Sequence, residues 1–339
     1  MQRCLDLAAN GLGTTYPNPL VGSVIVANER IIGEGWHRKA GESHAEVLAI
    51  KSVKKLSDLD QATLYVNLEP CSHHGKTPPC VDLIIKHKIQ NVVIGSSDPN
   101  PLVAGNGISK LFDAGINVTV GVLEKECKFL NRRFFTVQQK NRPYVILKWA
   151  QTDDGFIAPR RESDAEKNPV WISNERSKQL VHKWRTEEQA ILIGTNTAID
   201  DNPQLTPRSY FGQNPIRIVI DQSQRIPKEN YIFDNQAKTI LFSAEKSYNE
   251  AVVAETIDFT KNVAEQILTS LFRHSISSVI IEGGAQTLQT FIDSNLWDEA
   301  RIFKSKTYMQ GGVRAPIFSF VPKEIQHISD DELLIFQHD

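Results

Sequence analysis

The chain has 339 residues, enough for two or three domains that each bury a core. Its 38 lysines and arginines stand against 40 acidic residues, so no bulk field draws it to nucleic-acid phosphates or an anionic membrane. A small neutral or anionic ligand is the expected partner. No run approaches about 18 consecutive apolar residues, and the N-terminal MQRCLDLAANGLG has neither an apolar signal core nor a small-residue cleavage site. A soluble, cytoplasmic protein is expected, in which Cys4, Cys71, Cys80 and Cys127 serve as ligands or buried thiols rather than disulfides. The helical spacing of Leu5, Ala8 and Ala9 already runs near Met1, which raises the expectation of residues upstream.

Strand and helix signals then alternate. Residues 21 to 37 read as two strands around a turn at Asn28-Glu29, and 44 to 56 as a buried helix. A strand at 62 to 70 ends at a proline. It is followed by a helix at 80 to 89, a strand at 91 to 97, a helix at 107 to 115 and a strand at 117 to 122. This alternation predicts a largely parallel sheet covered by helices on both faces. A short polar stretch ending at Pro143 marks a domain boundary at about residue 141, giving domains 1–141 and 142–339. Beyond it, strands are expected at 144 to 150, 190 to 194, 215 to 221, 239 to 244, 278 to 284 and 299 to 308, with a helix at 285 to 295. The fold class is α/β throughout.

The chemistry gathers at HAE (44 to 46) and EPCSHHGKTPPC (69 to 80). His44 opens a helix, and Cys71 and Cys80 stand where helices can begin, positions at which the helix dipole favors thiolates. One imidazole and two thiolates give zinc three protein ligands and leave a fourth position for water, the arrangement of a catalytic site. Zinc deaminases carry H-x-E followed by P-C-x-x-C, with the glutamate moving protons rather than ligating. Here His44, Glu46, Pro70 and Cys71 fit that pattern, but the second cysteine, Cys80, follows after eight residues instead of two. Two alternatives stand beside this reading: a buried histidine with two inert cysteines, or a closed structural site that recruits His73 or His74.

The long insertion resembles the deaminase half of the bifunctional riboflavin-biosynthesis deaminase/reductase family. PNPLVG (17 to 22), HAE (44 to 46), LEPCSHHGKTPPC (68 to 80) and DPNPLVAGNG (98 to 107) carry the likeness across nearly the whole first domain. The resemblance implies a cytidine-deaminase-like α/β/α sandwich with zinc on His44, Cys71 and Cys80. It further implies proton transfer by Glu46 and substrate contacts from Asn18, His73, Lys76 and Asn100. The implied substrate is a diaminopyrimidinone carrying a ribosylamino phosphate.

In the second half, SVIIE followed by Gly283-Gly284 and a helix can set backbone amides against a phosphate, though it is not G-x-G-x-x-G. The segments 143 to 150, 171 to 173, 190 to 208, 216 to 221 and 280 to 288 are similar to the reductase half of the same family. That likeness implies a dihydrofolate-reductase-like α/β domain that uses NADPH to reduce the ribosyl side chain to ribityl. The implied cofactor positions are Ala150, Trp171, Thr197, Asp201 and the run Gly284, Ala285, Gln286, Thr287, Leu288, Gln289 and Thr290. The implied substrate positions are Arg185, Leu205, Arg208 and Glu282, with the two arginines suited to the sugar phosphate. Lys148 and Glu282 are the candidates for the general acid of the reduction. Pro169 and Gln222 stand where the family often has serines, which touches one substrate and one cofactor contact. A homo-oligomer is expected, with neither nucleic acid nor membrane as partner. Two other readings remain: a deaminase whose second half only binds ligand or dimerizes, and a nucleic-acid-editing deaminase, which would need a basic, aromatic surface.

Overall fold

Valine- and isoleucine-rich runs separated by short helices set the architecture of the first half. The computed structural model describes residues 1–73, 78–100, 104–159, 171–246 and 252–338, and the chain separates into two units, Met1–Asn141 and Arg142–Asp339. In the first, strands β1 (Gly22–Ala27), β2 (Arg30–Trp36), β3 (Thr63–Leu68), β4 (Asn91–Ser96) and β5 (Asn117–Val120) lie in the order β2-β1-β3-β4-β5. The turn between β1 and β2 puts Asn28 at φ 47° and Glu29 at φ 60°, both left-handed, the backbone of a tight two-residue hairpin. Such a turn leaves no room for a crossover, so β1 pairs antiparallel with β2 and also with β3. Only β3, β4 and β5 run parallel, so the sheet is mixed rather than largely parallel.

Helices α1 (Gln2–Ala9), α2 (Ala45–Ser52), α3 (Cys80–Lys86), α4 (Asn106–Asp113), α5 (Glu124–Leu130) and α6 (Arg132–Lys140) complete this unit. The helix expected to reach residue 56 stops at Ser52. There the Ser52 hydroxyl donates to the Ala49 carbonyl at 2.7 Å and accepts from the Glu34 amide at 2.9 Å, and Val53 turns extended into the core. Ile25, Leu64, Val66, Val92 and Ile94 are fully buried, with Ala49, Val81, Ile84 and Leu111 packed over them from the helices. Two buried asparagines clamp the segment that enters β1. Asn67 accepts from the Gly22 amide at 2.7 Å and donates to the Leu20 carbonyl at 2.9 Å, while Asn131 accepts from the Leu20 amide at 2.8 Å. Helix α6 closes at Asn141 in a left-handed conformation, φ 52°.

The second unit is built on strand β6 (Tyr144–Gln151), strand β7 (Phe156–Ala158), helix α7 (Glu175–Glu187), strand β8 (Ala190–Gly194), helix α8 (Thr195–Asp201), and strands β9 (Ile216–Ile220), β10 (Thr239–Ser243) and β11 (Val253–Thr256). It continues with helix α9 (Val263–Arg273), strand β12 (Ser278–Ile281), helix α10 (Ala285–Asp293), and strands β13 (Glu299–Lys304), β14 (Val313–Arg314), β15 (Glu324–Ile328) and β16 (Asp331–Gln337). A nine-stranded sheet runs β11-β10-β9-β8-β12-β6-β13-β16-β15, parallel from β11 to β13 and antiparallel through β16 and β15. Strand β12 lies between β8 and β6 and is buried along its length, as an apolar strand in a covered parallel sheet must be. Helix α7 and the β15–β16 hairpin were not singled out by pattern, because α7 has only Leu180, Val181 and Trp184 as apolar residues and β15 is largely exposed. Asp331 ties them together, accepting from the Asn174 amide at 2.8 Å and the Ser177 hydroxyl at 2.6 Å at the start of α7. Among the described residues no helix is long and apolar enough to cross a membrane.

Helix α1 lies so close to β1 that a Cβ on Gly22 would stand 2.1 Å from the Cys4 carbonyl oxygen. Gly22→Ala is therefore expected to cost about 1–3 kcal/mol, read as a lower urea midpoint by circular dichroism; an unchanged midpoint would mean that α1 is free to shift off the strand.

Candidate active sites

In the first unit the approach of two helix heads sets the geometry. His44 is the extended N-cap of α2, and Cys80 is the first residue of α3. Cys71 follows the end of β3, and its sulfur accepts from the Cys80 amide at 3.3 Å, which brings the two cysteines together. His44 Nδ1 then stands 3.3 Å from the Cys80 sulfur and 3.5 Å from the Cys71 sulfur. All three donor atoms lie within 4.8 Å of one another, and among the described residues this is the one such group. Zinc–sulfur bonds near 2.3 Å and zinc–nitrogen bonds near 2.05 Å at tetrahedral angles give N···S edges of about 3.5 Å, so this donor set fits zinc. It supplies three ligands and leaves a fourth position. His73 is exposed and outside the group, which removes it from a closed site; His74 and Lys76 lie outside the described residues.

The electrostatics follow from burial. A hydrogen bond from Cys80 lowers the Cys71 thiol against its burial, and Cys80 is raised by the same bond and by its own burial, so without a cation the two sulfurs resist ionizing together. A divalent cation here would take both as thiolates. Glu46, in the first turn of α2, is 3 % exposed; burial and then the Cys71 charge push its carboxyl up, and it hydrogen-bonds Cys80. It stands beside the three donors without joining them.

Two residues beyond those named from sequence organize this site. His37 is buried, its Nδ1 3.2 Å from the Ser43 carbonyl and its Nε2 3.1 Å from the Asn18 amide nitrogen, with its ring edge-on to His44 at 5.6 Å between centroids. Burial holds the imidazole neutral, so Nδ1–H donates to Ser43 and Nε2 accepts from Asn18, which fixes the orientation of the Asn18 amide. Glu69, 5 % exposed, accepts from the amides of Asp98 and Gly105 at 3.1 Å, Gly107 at 2.9 Å and Ile108 at 3.3 Å. It thereby anchors the segment that carries Asn100 to the strand end that carries Cys71. Asp98 lies within electrostatic reach of Glu69, His73 and Cys71 and bonds the Asn100 amide at 2.8 Å.

In the second unit, Arg185 on α7 and Glu282 after β12 form an ion pair of 2.8 Å, with side chains 12 % and 9 % exposed. Burial raises the Glu282 carboxyl, but Arg185 and Lys148 outweigh it and hold it at about 2. The Lys148 amine, deep on β6, is pushed down by burial and pulled back by Glu282. His182, one turn before Arg185, is buried, and Arg185 reaches the Thr206 carbonyl at 3.4 Å. Leu205 sits at φ 58° with its side chain 3 % exposed, so any contact it offers a ligand comes from its backbone. Arg208 stays exposed, 3.3 Å from Gln204.

The second unit also holds a cavity of about 1280 Å³, lined by Thr197, Asp201, Gln222, Thr290 and the stretch Gly284 to Thr287. Strands β8 and β12 end against each other there: a Cβ on Gly283 would meet the Gly194 amide at 2.8 Å, and one on Gly194 would meet the Thr287 hydroxyl at 2.4 Å. Only glycines allow the head of α10 so close to the strand ends, with the Gly284 amide donating to Thr197 at 2.9 Å. Leu288 is fully buried and Gln289 bonds Asp293 and the Ile317 amide, so neither lines the cavity. Ala150 and Trp171 are also absent from its wall; Trp171 is 59 % exposed, with the Lys178 ammonium over its ring at 4.2 Å. Pro169 lies outside the described residues.

Comparison with known proteins agrees with this arrangement. Residues 1–96 match the cytidine and deoxycytidylate deaminase zinc-binding region, and residues 143–318 match the RibD C-terminal domain. Riboflavin biosynthesis protein RibD of Aquifex aeolicus is 39 % identical over 321 residues, covering 92 % of this chain and 88 % of its own length. RibD of Escherichia coli is 34 % identical over 365 residues, covering 98 % and 97 %. Among solved structures, a diaminohydroxyphosphoribosylaminopyrimidine deaminase/5-amino-6-(5-phosphoribosylamino)uracil reductase from Thermotoga maritima superposes with a TM-score of 0.89 at 39 % identity, over 99 % of this chain and 97 % of its own.

Because the Glu282 carboxyl is held at about 2 against an ordinary 4.5, its contribution to stability is present above about pH 4.5 and is lost as pH falls through 2. The unfolding free energy of the second unit should drop by up to about 3 kcal/mol across that window, and Glu282→Gln should flatten it; an unchanged slope in acid urea titrations would show that Glu282 is not held ionized by its partners.

Proposed function

The chain belongs to the bifunctional riboflavin-biosynthesis deaminase/reductase family, and from that membership we propose which of its residues run each reaction. Its activity is zinc-dependent hydrolytic deamination of a diaminopyrimidinone ribosylamino phosphate, followed by NADPH-dependent reduction of the ribosyl side chain to ribityl. In this proposal, residues 1–141 deaminate and residues 142–339 reduce. The reading of the first site is carried by His44, Cys71 and Cys80 at two helix heads with the buried Glu46 beside them.

His44, Cys71 and Cys80 would hold zinc, which when bound supplies a Lewis acid that lowers the pKa of water. Glu46 takes a proton from the attacking water and hands it to the ring nitrogen. As the bond to the exocyclic amine breaks, a second proton carried by Glu46 leaves with ammonia, and the ring carbon keeps the oxygen as a carbonyl. Burial favors the protonated form of Glu46, which suits a group that must hold a proton between these steps. Asn18, fixed by His37, and Asn100, fixed through Asp98 and Glu69, would orient the pyrimidine, with His73 and Lys76 on the insertion between the cysteines.

In the second unit NADPH, when bound, supplies hydride to the sugar carbon attached to the amine. Thr197, Asp201 and the head of α10 would hold it in the cavity, and Arg185 and Arg208 would face the sugar phosphate. Of the two candidate proton donors, Glu282 is ionized at neutral pH and paired with Arg185, which leaves Lys148. A cytoplasmic location fits the four free cysteines, and a homo-oligomer remains part of the proposal.

Glu46→Gln should lower ammonia release by about a thousandfold or more while zinc stays stoichiometric, because the glutamate moves protons and does not ligate. Metal analysis of the purified variant decides the point: loss of zinc would make Glu46 a ligand and overturn this assignment of roles.

A further inference from the structure

The cavity of the second unit carries an unusual charge pattern for a site meant for a phosphate-rich ligand. Among the described residues its wall includes the carboxylates Asp200, Asp201 and Asp221 and one cation, Arg225. The head of α10 offers backbone amides to an anion but no side-chain charge. A dianionic phosphate monoester that leaves water for a protein wall is disfavored unless a cation meets it there.

Arg225 is held for that task by a buried carboxylate. Asp221, 1 % exposed at the end of β9, accepts from the Ile226 amide at 2.9 Å and the Thr195 hydroxyl at 3.3 Å, and its carbonyl accepts from the Gln224 amide at 3.2 Å. Gln224 turns at φ 53° to close the loop. The Arg225 guanidinium is thus set at the cavity with one neutral neighbor, Asn196 Oδ1 at 3.2 Å, and pairs with no carboxylate among the described residues. Ser223, exposed in the same loop, adds a hydroxyl to the wall.

We propose that Arg225 selects NADPH over NADH by pairing with the phosphate on the adenosine ribose. The proposal rests on reading this cavity as the cofactor site. Both dinucleotides carry the diphosphate, which the amides at the head of α10 serve without discrimination; only NADPH carries the extra monoester, and among the described wall residues Arg225 is the one that brings a positive charge to meet it.

The test compares adenosine 2′,5′-bisphosphate with adenosine 5′-monophosphate, which differ only in that phosphate, by calorimetry on the full-length protein with NADPH as competitor. The native protein should bind the bisphosphate more tightly, and NADPH should displace both. Arg225→Gln should weaken the bisphosphate about 10- to 100-fold and leave the monophosphate within about twofold, while Arg225→Lys keeps part of the preference. Equal weakening of both ligands would assign Arg225 to the shared part of the cofactor, and no weakening of either would remove it from the site; each outcome overturns the proposal. If the native protein binds neither nucleotide competitively with NADPH, the cofactor reading of the cavity fails first and the role of Arg225 falls with it.

Discussion

A strand that hands its chain to a helix leaves the first helical amides without partners, and that constraint places both centers of this protein. In the first unit the heads of α2 and α3 meet, and sulfur and nitrogen donors gather where the dipoles favor negative charge. In the second, the ends of β8 and β12 feed α8 and α10 at the wall of one cavity. The loops beside these helix heads raise the same problem and solve it with buried carboxylates: Glu69 collects amides from residues 98 to 108, and Asp221 collects one from Ile226. Binding sites and structural anchors here are two answers to one surplus of N–H donors.

The ligand side chains were legible in the sequence because their chemistry is rare. A histidine two residues before a glutamate, a proline-cysteine pair and a second cysteine at a helix start can hardly be arranged otherwise, and the structure brings His44, Cys71 and Cys80 together. The Asn28-Glu29 hairpin was equally plain. Glu69 and His37 were not, because their work is done on amides and side chains distant in sequence, which leaves no periodic trace. In the second unit the glycine pair marks a helix head that lines a cavity, but membership of that wall within the run from Gly284 to Thr290 is not legible: the helix turns Leu288 into the core while Thr287 and Thr290 face the cavity. Leu205 shows the same limit, since a left-handed backbone over a buried side chain cannot be read from its identity.

The second unit keeps its charges in balance by unequal burial. Glu282 is paired with Arg185 and faces Lys148, so at this point one carboxylate lies between two cations. Arg208 remains exposed with only a neutral neighbor. The positive charge of this face is thus split between a buried, paired guanidinium and an exposed one.

Asn141 closes α6 with a single left-handed residue, and the next position already belongs to the other unit. Each unit has its own apolar interior, and one continuous stretch of backbone carries the chain from the first to the second. Every round of translation therefore yields one center of each kind. The ratio of the two catalytic capacities is set by the gene itself, and no change in expression can let the aminated precursor's converter outnumber the enzyme that consumes its product.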